Sequence, residues 1–545
     1  MISKINYQLG ILGILLFFFV GNHAKAQQQV CDVEIPPSTF VIDGSHGGIH
    51  PGNVICIKGS SKDFLLIRNV NGTAQNPIQL INYDGAVIIN TDNYYGIKIS
   101  HSSYLKVSGT GTDSIQYGFQ VQRVGGGTGL AVGDLSTDVE IENIEIANTP
   151  IAGVYAKTDP TCNDFSSTRD KFTMYNFKLH DCYVHDVADE GLYIGSSKYS
   201  GQHLTGDCDT LVYPHVLIGT RVYNNIVENT GWDGIQVSSA EQDCKVYNNV
   251  IRHDSYAEHN GQMSGIIIGG GSRADVYNNK IYDGKGDGID VFGLGSMRVF
   301  NNLIVRSGRT YMPNDPIAFK HGIYVGKAVT IADEENKIYN NTIVSPKSFG
   351  ITYANDESNM GYLINNVVVN PGYTDAGESA FYNINVDDSQ VNLSNNFSSI
   401  STDDAKFLDV LTDNYDLKPT SPLIDNGKEM TDEGLVFDID SRVRPFHNYT
   451  DMGTYECQDP TISVEEVHND NFLLFPIPAN NVIYVKASNN HPIVKLQIFS
   501  IHGTLVRQTN HTSTIDVSDL PNGIYRIMVS YKEGVEFFPI VVMHE

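Results

Sequence analysis

Six short stretches decide the fold: VYNNIV (222–227), VYNNVI (246–251), VYNNKI (276–281), VFNNLI (299–304), IYNNTI (338–343) and LINNVV (363–368). Each places an aromatic or apolar residue before two asparagines, and mostly β-branched residues follow. A seventh pair begins at Asn395, and neighbouring pairs start 23 to 39 residues apart. A short fixed core with insertions of variable length is typical of a solenoid, whose repeats pack on their neighbours.

A second motif, a glycine followed by alternating apolar residues, recurs in these repeats: EGLYIG, DGIQVS, SGIIIG, DGIDVFG, HGIYVG and FGITYA. Alternation puts Ile235 and Val237 on one side of a strand and Gln236 on the other. Because parallel stacking buries the same position of every repeat in one core, the pattern predicts a parallel β-helix over residues 40–455. We expect the asparagine amides to bond from coil to coil as a ladder.

These repeats resemble those of the pectin-lyase-like superfamily of right-handed parallel β-helices. HPGNVICIKG (50–59) and NGTAQNPIQLINYDG (71–85) also resemble the opening coils of secreted polysaccharide lyases with that fold. The resemblance implies an all-β, right-handed solenoid with an extracellular polysaccharide as its partner. It leaves the reaction open, because this solenoid carries lyases, hydrolases, epimerases, phage tailspikes and non-catalytic adhesins.

The N-terminus predicts export. Lys4 precedes the apolar run Leu9–Val20, and small residues at Ala24 and Ala26 give a signal peptide over residues 1–26. The run is shorter than the roughly 20 residues of a spanning helix, so no membrane span is expected. A net charge of −27 disfavours nucleic acid as a partner, since a strongly negative protein repels polyanions.

The C-terminal part divides into three segments. Residues 403–457 resemble the closing segment of exported β-helix proteins and are expected to cap a solenoid over residues 27–457. A polar linker (458–470) precedes short alternating strands in residues 471–545, which predict a small β-sandwich. Those strands resemble the sorting domain of the type IX secretion system. That resemblance implies binding to secretion and sorting machinery, export across both membranes of a Gram-negative bacterium, and a secreted or cell-surface location.

Seven cysteines are few for 545 residues and show no metal-binding CxxC pair. In an exported protein they favour structural disulfides. We expect Cys31 to pair with Cys56, and a second pair from Cys162, Cys208 and Cys244.

Two columns of residues beside the glycine motif carry the candidate chemistry, because equivalent positions of stacked coils lie about 4.8 Å apart. The position before the glycine holds Ala152, Glu190, Asp233, Ser264, Asp287, His321 and Phe349. The position two after the glycine holds Tyr155, Tyr193, Gln236, Ile267, Asp290 and Tyr324.

We therefore predict Glu190, Asp233, Asp287 and Asp290 as an acid–base set. Adjacent coils would hold Glu190 and Asp233 about 5 Å apart, as in a retaining glycosidase, and Asp233 and Asp287 about 10 Å apart, near the inverting spacing. Stacked carboxylates also raise one carboxyl pKa, as a general acid requires. The structural alternative is that Asp-Gly simply forms a turn.

Two other kinds of site remain open. A lyase needs a base and a cation to neutralise a uronate, for which Lys320 and His321 are candidates. Asp189, Glu190 and Asp233 offer the hard oxygen ligands that calcium prefers.

Substrate-binding residues are expected beside the acids: Tyr193, Trp232, Gln236, Arg252 and Tyr324. Two long insertions, residues 158–172 and 196–215, flank the Glu190 coil, and loops of this length commonly line a binding groove. The sequence thus predicts a carbohydrate-active enzyme, a hydrolase or a lyase, in a groove on the middle coils. The alternative is a non-catalytic surface adhesin or structural solenoid.

Overall fold

The computed structural model describes residues 31–311, 319–328, 334–373, 377–446 and 449–458, and, further on, residues 472–475, 479, 481–487, 492–500, 503–521, 523–532 and 534–542. The predicted signal peptide and most of the predicted linker lie outside the described residues. Within the described ranges, no helix is long and apolar enough to cross a membrane.

Three columns of parallel strands form the solenoid, and one turn of the chain contributes a strand to each. The first column, sheet 1, contains Val33–Ile35, Val54–Lys62, Ile78–Thr91, Ser103–Ser108, Thr137–Glu142, Lys178–His180, Arg221–Tyr223, Cys244–Tyr247, Ala274–Tyr277, Arg298–Phe300, Glu335–Tyr339, Met360–Ile364 and Val391–Ser394. Sheet 2 follows the asparagine pairs and contains Phe119–Val124, Ile144–Thr149, Tyr183–Val187, Ile226–Thr230, Val250–Arg252, Lys280–Tyr282, Leu303–Val305, Thr342–Val344, Val367–Val369 and Phe397–Ser399. The long early strands Val54–Lys62 and Ile78–Thr91 bend through both columns.

Sheet 3 is built from the glycine motifs. Its strands are Val41–Asp43, Leu65–Arg68, Tyr95–Ser100, Thr128–Gly133, Val154–Ala156, Leu192–Ile194, Ile235–Val237, Ser264–Ile268, Asp287–Val291, Ile323–Val325, Ile351–Tyr353 and Tyr382–Ile384. A further short parallel sheet of Thr173–Tyr175, Val216–Ile218 and Ala240–Gln242 widens the corner after sheet 3. The predicted right-handed parallel β-helix is confirmed.

The core consists of one apolar column from each sheet. In sheet 3, Ile235, Ile266, Ile289, Ile323 and Ile351 lie in register on successive coils and are completely buried. Full burial of an aliphatic side chain contributes roughly 1.5–3 kcal/mol. The glycine before these strands is required because a Cβ on Gly234 would lie 2.6 Å from the Gly265 carbonyl oxygen of the next coil.

The asparagine ladder forms as expected and uses the second residue of each pair. Asn225 Nδ2 donates to Asn249 Oδ1, Asn249 Nδ2 to Asn279 Oδ1, and this continues coil by coil at 2.9–3.1 Å. Its members are Asn225, Asn249, Asn279, Asn302, Asn341, Asn366 and Asn396. The first asparagine of each pair has a φ between 52° and 58°, a left-handed turn that asparagine tolerates well.

The segment predicted as an end cap packs along the outer sides of sheets 1 and 2. It contains the antiparallel strands Phe407–Asp409 and Asn414–Leu417, and Tyr415, Leu423 and Tyr455 cover outward residues of sheet 2 such as Val305 and Val367. The physical reason is visible in the strands LIV, TIV and VVV, which are apolar on both sides and buried throughout. Strands that are apolar on both sides need a cover on both sides.

The C-terminal part forms two antiparallel sheets, as the sequence predicts for a small sandwich. One contains Phe472–Phe475, Val482–Ala487 and Thr514–Asp516, and the other Leu505–Asn510, Ile493–Ser500, Gly523–Tyr531 and Gly534–Val542. Their shared core includes Ile483, Leu496, Ile515, Ile527 and Ile540.

Disulfides join Cys31 to Cys56 and Cys162 to Cys208, as two of the expected pairings. Within the described ranges, the helical structure consists of short 3₁₀ turns: Gly44–His46, Asp388–Gln390, Thr402–Ala405, Val410–Thr412 and Thr431–Glu433.

Candidate functional site

The predicted acidic residues lie together at the N-terminal edge of sheet 3, in the predicted register. Gly191 donates its N–H to the Asp233 carbonyl, Gly234 donates to Ser264, and Ser264 pairs with Asp287. Glu190 and Asp233 are thus one coil apart, and Asp233 and Asp287 are two coils apart. Asp290 follows on the same strand as Asp287. We call these four residues the acidic row.

Asp287 is held by positive and N–H groups. Lys320 Nζ donates to Asp287 Oδ2 at 3.0 Å, and the backbone N–H of His321 donates to Asp287 Oδ1. Burial alone would lower the pKa of Lys320, but the charges of Asp287 and Asp290 outweigh it and raise that pKa. An ammonium group and an N–H favour the ionised form of a carboxyl group. Both oxygens of Asp287 therefore accept a hydrogen bond, one of them from a cation.

Asp290 has the opposite surroundings. Its Oδ2 accepts a 2.6 Å hydrogen bond from the Ser264 hydroxyl, while Oδ1 is buried and accepts no hydrogen bond from the residues that the structure describes. Burial and then the negative charge of Asp287 raise the pKa of Asp290 well above its ordinary value. These surroundings favour the protonated form of Asp290.

Asp233 is sealed behind these two residues. Its side chain is completely buried, and neither oxygen accepts a hydrogen bond within the described ranges, whereas Asp287 and Asp290 are 7% and 8% exposed. Burial, followed by the charges of Asp290 and Glu190, raises the pKa of Asp233 well above its ordinary value. The nearby backbone N–H of Ser264 offsets this only in part and does not form a hydrogen bond to either oxygen. Asp287 and Asp290 are thus slightly more accessible to solvent than Asp233.

A fifth acid, Asp254, belongs to this cluster and lies outside both predicted columns. It sits in the turn that leads into sheet 3, where a Cβ on Gly284 would lie 1.9 Å from its Oδ2. Burial raises its pKa to about 6, and its charge acts on both Asp233 and Asp290. Asp254 could have been detected from the sequence, because it occupies the corner position that Thr149, Val187 and Thr230 hold in earlier coils.

Glu190 ends the acidic row toward the N-terminus. It is 2% exposed, and burial raises its pKa to about 7, with a smaller contribution from Asp189. Burial also raises the pKa of Asp189, which is half-buried at the corner beside Trp232. The indole of Trp232 stacks on His259 with ring centres 4.2 Å apart.

The predicted substrate-binding residues divide into two groups. Tyr193, Gln236 and Tyr324 lie in the predicted column of sheet 3 with Asp290. Gln236 is buried and its Oε1 meets no donor. Arg252, in contrast, is on sheet 2, where it pairs with Glu228 at 2.7 Å, so the structure does not bring it to the acidic row.

His321 joins the site through its ring. Its Nδ1 lies 3.1 Å from the Thr352 hydroxyl, and its ring centre is 5.4 Å from that of Tyr324. Burial lowers the pKa of His321, which favours the neutral imidazole. Lys320 and His321 thus lie against the predicted acids, where the first holds Asp287 and the second offers an uncharged ring.

Metal binding stays a prediction. Within the described ranges, one group of three residues brings metal-binding atoms within 4.8 Å of one another, and it is Glu140, Glu142 and His180 on sheet 1. Lys106 already bonds both of its glutamates, at 2.8 and 2.9 Å. The predicted calcium ligands Asp189, Glu190 and Asp233 do not form such a group.

Two protein-family models match the chain. The model for a right handed beta helix region matches residues 215–398, and the model for a secretion system C-terminal sorting domain matches residues 473–542. The second match indicates export by type IX secretion to the cell surface or beyond it. No curated protein matches the chain.

Several solved structures share the fold. Pectate lyase Pel9A is 13% identical over 75% of this chain and 88% of its own, with a TM-score of 0.38. The GH136 lacto-N-biosidase from Eubacterium ramulus is 14% identical over 65% of this chain and 63% of its own, with a TM-score of 0.39.

The A-module of a mannuronan C-5 epimerase from Azotobacter vinelandii is 14% identical over 64% of this chain and 91% of its own, with a TM-score of 0.32. At these identities the likeness concerns the fold alone. The chain carries a right-handed parallel β-helix region followed by a secretion-system C-terminal sorting domain.

Proposed function

We propose that this chain is an exported enzyme that binds an extracellular polysaccharide across sheet 3 and hydrolyses its glycosidic bonds. The observation that carries the proposal is the pairing of two carboxyl groups in opposite surroundings. Asp287 is bonded by Lys320 and an N–H, and Asp290, on the same strand, holds a raised pKa and a donor-free oxygen. Neighbouring titratable groups with opposed environments are typical of an acid–base pair.

In this mechanism Asp290 donates its proton to the glycosidic oxygen, and Asp287 acts as the ionised partner that activates water or attacks the sugar. Asp254 and Glu190 are positioning residues, because the charge of Asp254 raises the pKa of Asp290 and of Asp233, and the charge of Glu190 raises the pKa of Asp233. Tyr193 and Tyr324 supply half-buried aromatic surfaces beside the acids, and a sugar ring can pack on such surfaces.

The test is to incubate the mature protein with a panel of polysaccharides, with and without calcium, while reducing ends and ultraviolet absorbance are followed together. Hydrolysis releases reducing ends without new absorbance. Reducing ends with new absorbance would indicate β-elimination, with Lys320 or His321 as the base. A panel without any product, but with binding, would favour the adhesin.

Matched variants decide the roles. We expect Asp287→Asn and Asp290→Asn each to lower kcat by about 100-fold or more, the usual contribution of a positioned acid or base. Asp243→Asn is the control, because Asp243 forms a surface ion pair with Arg221 away from sheet 3. Full turnover in both site variants, with folding intact, would refute the assignment.

Export is the second part of the proposal. We propose that residues 1–26 direct the chain across the inner membrane and that the C-terminal domain directs it across the outer membrane of a Gram-negative bacterium. The family match at residues 473–542 supports this. Deleting residues 472–545 should leave the chain in the periplasm, as measured by fractionation and immunoblot. Unchanged secretion would refute the sorting role.

A further inference from the structure

We propose that the two long insertions together form a binding subsite for an anionic group of the polysaccharide, a uronate carboxylate or a sulfate. This inference rests on the proposed function, because it names the substrate class of the same groove. It concerns the residues that line a cavity between the insertions, which lie outside the acidic row and outside the residues that either family model matches.

The insertions form one folded unit. The Cys162–Cys208 disulfide joins them, the Arg169 N–H donates to the Tyr213 carbonyl at 2.8 Å, and the His215 N–H donates to the Ser167 carbonyl at 3.0 Å. His215 Nε2 also accepts a hydrogen bond from the Thr158 N–H at 3.0 Å. Fixed in this way, the loops can hold a preformed site rather than sweep over the groove.

A cavity of about 700 Å³ opens between the two insertions. Apolar surface comes from Phe165, Leu211 and Tyr213, of which Leu211 and Tyr213 are among the most exposed large apolar side chains of the solenoid. Two cations, Arg169 and Lys171, line the same cavity. Aromatic surface with a few polar groups is the usual composition of a carbohydrate or small-molecule site.

Arg169 and Lys171 form no close ion pair with a carboxylate within the described part of the chain, although the charge of Lys171 lowers the pKa of Asp164 and of Asp170. Neither takes part in an ion pair there, although Arg123, Arg221, Arg252, Arg273, Arg298 and Arg306 all do. Arg169 lies 3.9 Å from the Tyr199 ring centre and donates from Nη2 to the Tyr199 carbonyl, while its buried Nε meets no acceptor. In a chain with a net charge of −27, an aromatic-flanked guanidinium of this kind is suited to an incoming anion.

One acid, Asp170, also lines the cavity, and its carboxylate is occupied locally. Its Oδ1 accepts a 2.6 Å hydrogen bond from the Thr168 hydroxyl, and that bond is the largest cause of its lowered pKa. The charges of Arg169, Lys171 and Asp170 therefore leave the cavity with one net positive charge.

The place of the cavity suits a chain that crosses sheet 3. The insertions follow the strands Val154–Ala156 and Leu192–Ile194 directly, so they start at the C-terminal edge of the sheet. Glu190, at the opposite edge, is six residues before the start of the second insertion, or roughly 20 Å at about 3.3 Å per residue. Asp287 and Asp290 lie three coils further along the solenoid, roughly 14 Å at about 4.8 Å per coil. Between them, Lys157 packs over the rings of Tyr155 and Tyr193, at 4.9 and 4.4 Å. One polysaccharide could therefore contact both edges.

The experiment compares binding to polygalacturonate, alginate and chondroitin sulfate with binding to carboxyl-reduced polygalacturonate, using affinity electrophoresis of the full chain. We expect wild-type protein to bind at least one acidic polymer and to lose that binding as salt rises. We expect Arg169→Gln combined with Lys171→Gln to weaken it about tenfold or more, since charge-assisted contacts are lost. Preference among the polymers then distinguishes carboxylate from sulfate.

Lys198→Gln is the matched control, because Lys198 is an exposed lysine of the same insertions that does not line the cavity. Equal binding by the double variant and wild type, or binding to none of the acidic polymers, would overturn the inference. Both outcomes are independent of turnover. Binding that depends on Arg169 and Lys171 without any product would instead refute the proposed hydrolysis and leave the subsite standing.

Discussion

Two rows of buried polar side chains run along the same solenoid, and they differ in how their hydrogen bonds are satisfied. In the asparagine ladder, Asn249 donates to Asn279 and to the Val222 carbonyl and accepts from Asn225, all at 3.0 Å. In the acidic row, both oxygens of Asp233 and one of Asp290 meet no donor within the described structure. Both rows use the same coil-to-coil spacing.

The difference separates structure from function. An amide has both donors and acceptors, so identical amides stacked at about 4.8 Å satisfy one another indefinitely. Stacked carboxylates have acceptors alone and repel one another unless protons or cations intervene. A folded protein keeps such an unsatisfied row at a cost in stability, and unsatisfied buried groups concentrate at functional sites.

The largest expected effect comes from breaking the ladder. Asn249→Ala leaves the Nδ2 and the backbone N–H of Asn225 without their acceptor, and it removes the donors to Asn279 and Val222. We expect the free energy of unfolding to fall by about 3–5 kcal/mol, since each buried unsatisfied group costs about 1–3 kcal/mol. Denaturant unfolding measures this.

Asn163→Ala is the control for that experiment, because Asn163 is exposed in the first insertion. We expect its effect to stay within about 0.5 kcal/mol, as for most surface substitutions. If Asn249→Ala were equally mild, the ladder would be a by-product of the repeat rather than a source of stability.

The second prediction concerns the pH dependence that the acidic row imposes. The pKa of Glu190 is about 7 in the folded chain against an ordinary value of 4.5. Below pH 4.5 both states are protonated, so its stabilising effect is fully present there, and it is lost as pH rises to 7. We expect the difference in unfolding free energy between wild type and Glu190→Gln to fall across this window by up to about 3 kcal/mol.

Glu228→Gln is the matched control, because Arg252 lowers the pKa of Glu228 despite its partial burial. A lowered pKa gives stability that is present above pH 4.5 and lost on acidification, so its difference curve should slope the other way. If the difference in unfolding free energy changed with pH in the same direction for both variants, the raised pKa of Glu190 would be contradicted.

A third, smaller effect should have the opposite sign to ladder breakage. Asp233→Asn replaces a sealed carboxyl group by an amide that can donate to its acceptor-rich surroundings. We expect the free energy of unfolding at pH 8 to rise by about 1–2 kcal/mol, since a buried charge without a partner is removed. A loss of stability there would mean that Asp233 holds the coil together and does not merely tune its neighbours.

The residues of both rows could be predicted in part from the sequence. Repeats with one fixed core specify which residues share a column, so the ladder and the order Glu190, Asp233, Ser264, Asp287 could be derived from spacing alone. Asp254 was missed because it precedes no glycine, although an acid at a corner otherwise held by Thr149, Val187 and Thr230 was a detectable exception. Arg252 was wrongly predicted to lie in the groove. The spacing of the repeats gives the coil on which a residue lies, but it does not by itself give the sheet.

The packing of residues 403–457 along the outside of the solenoid was also missed. The strands LIV, TIV and VVV lack the alternation of a half-exposed strand, and that pattern predicts a cover on both sides. How the two long insertions pack on each other could not be derived either, because contacts such as the Cys162–Cys208 disulfide depend on the three-dimensional path of both loops.

The smallest expected effect sharpens the role of the asparagine pair itself. Asn248 directly precedes Asn249 but stands at a φ of 56°, half-buried and outside the ladder. Asn248→Gly should change the free energy of unfolding by a few tenths of a kcal/mol, because glycine adopts this conformation readily, at some cost in unfolded-state entropy. Asn248→Val should cost about 1–2 kcal/mol, since a β-branched residue is strained there. If glycine and valine changed the free energy of unfolding equally at position 248, the left-handed backbone conformation would not be the reason for an asparagine there. The proposal that the first asparagine serves the turn and the second serves the ladder would then be wrong.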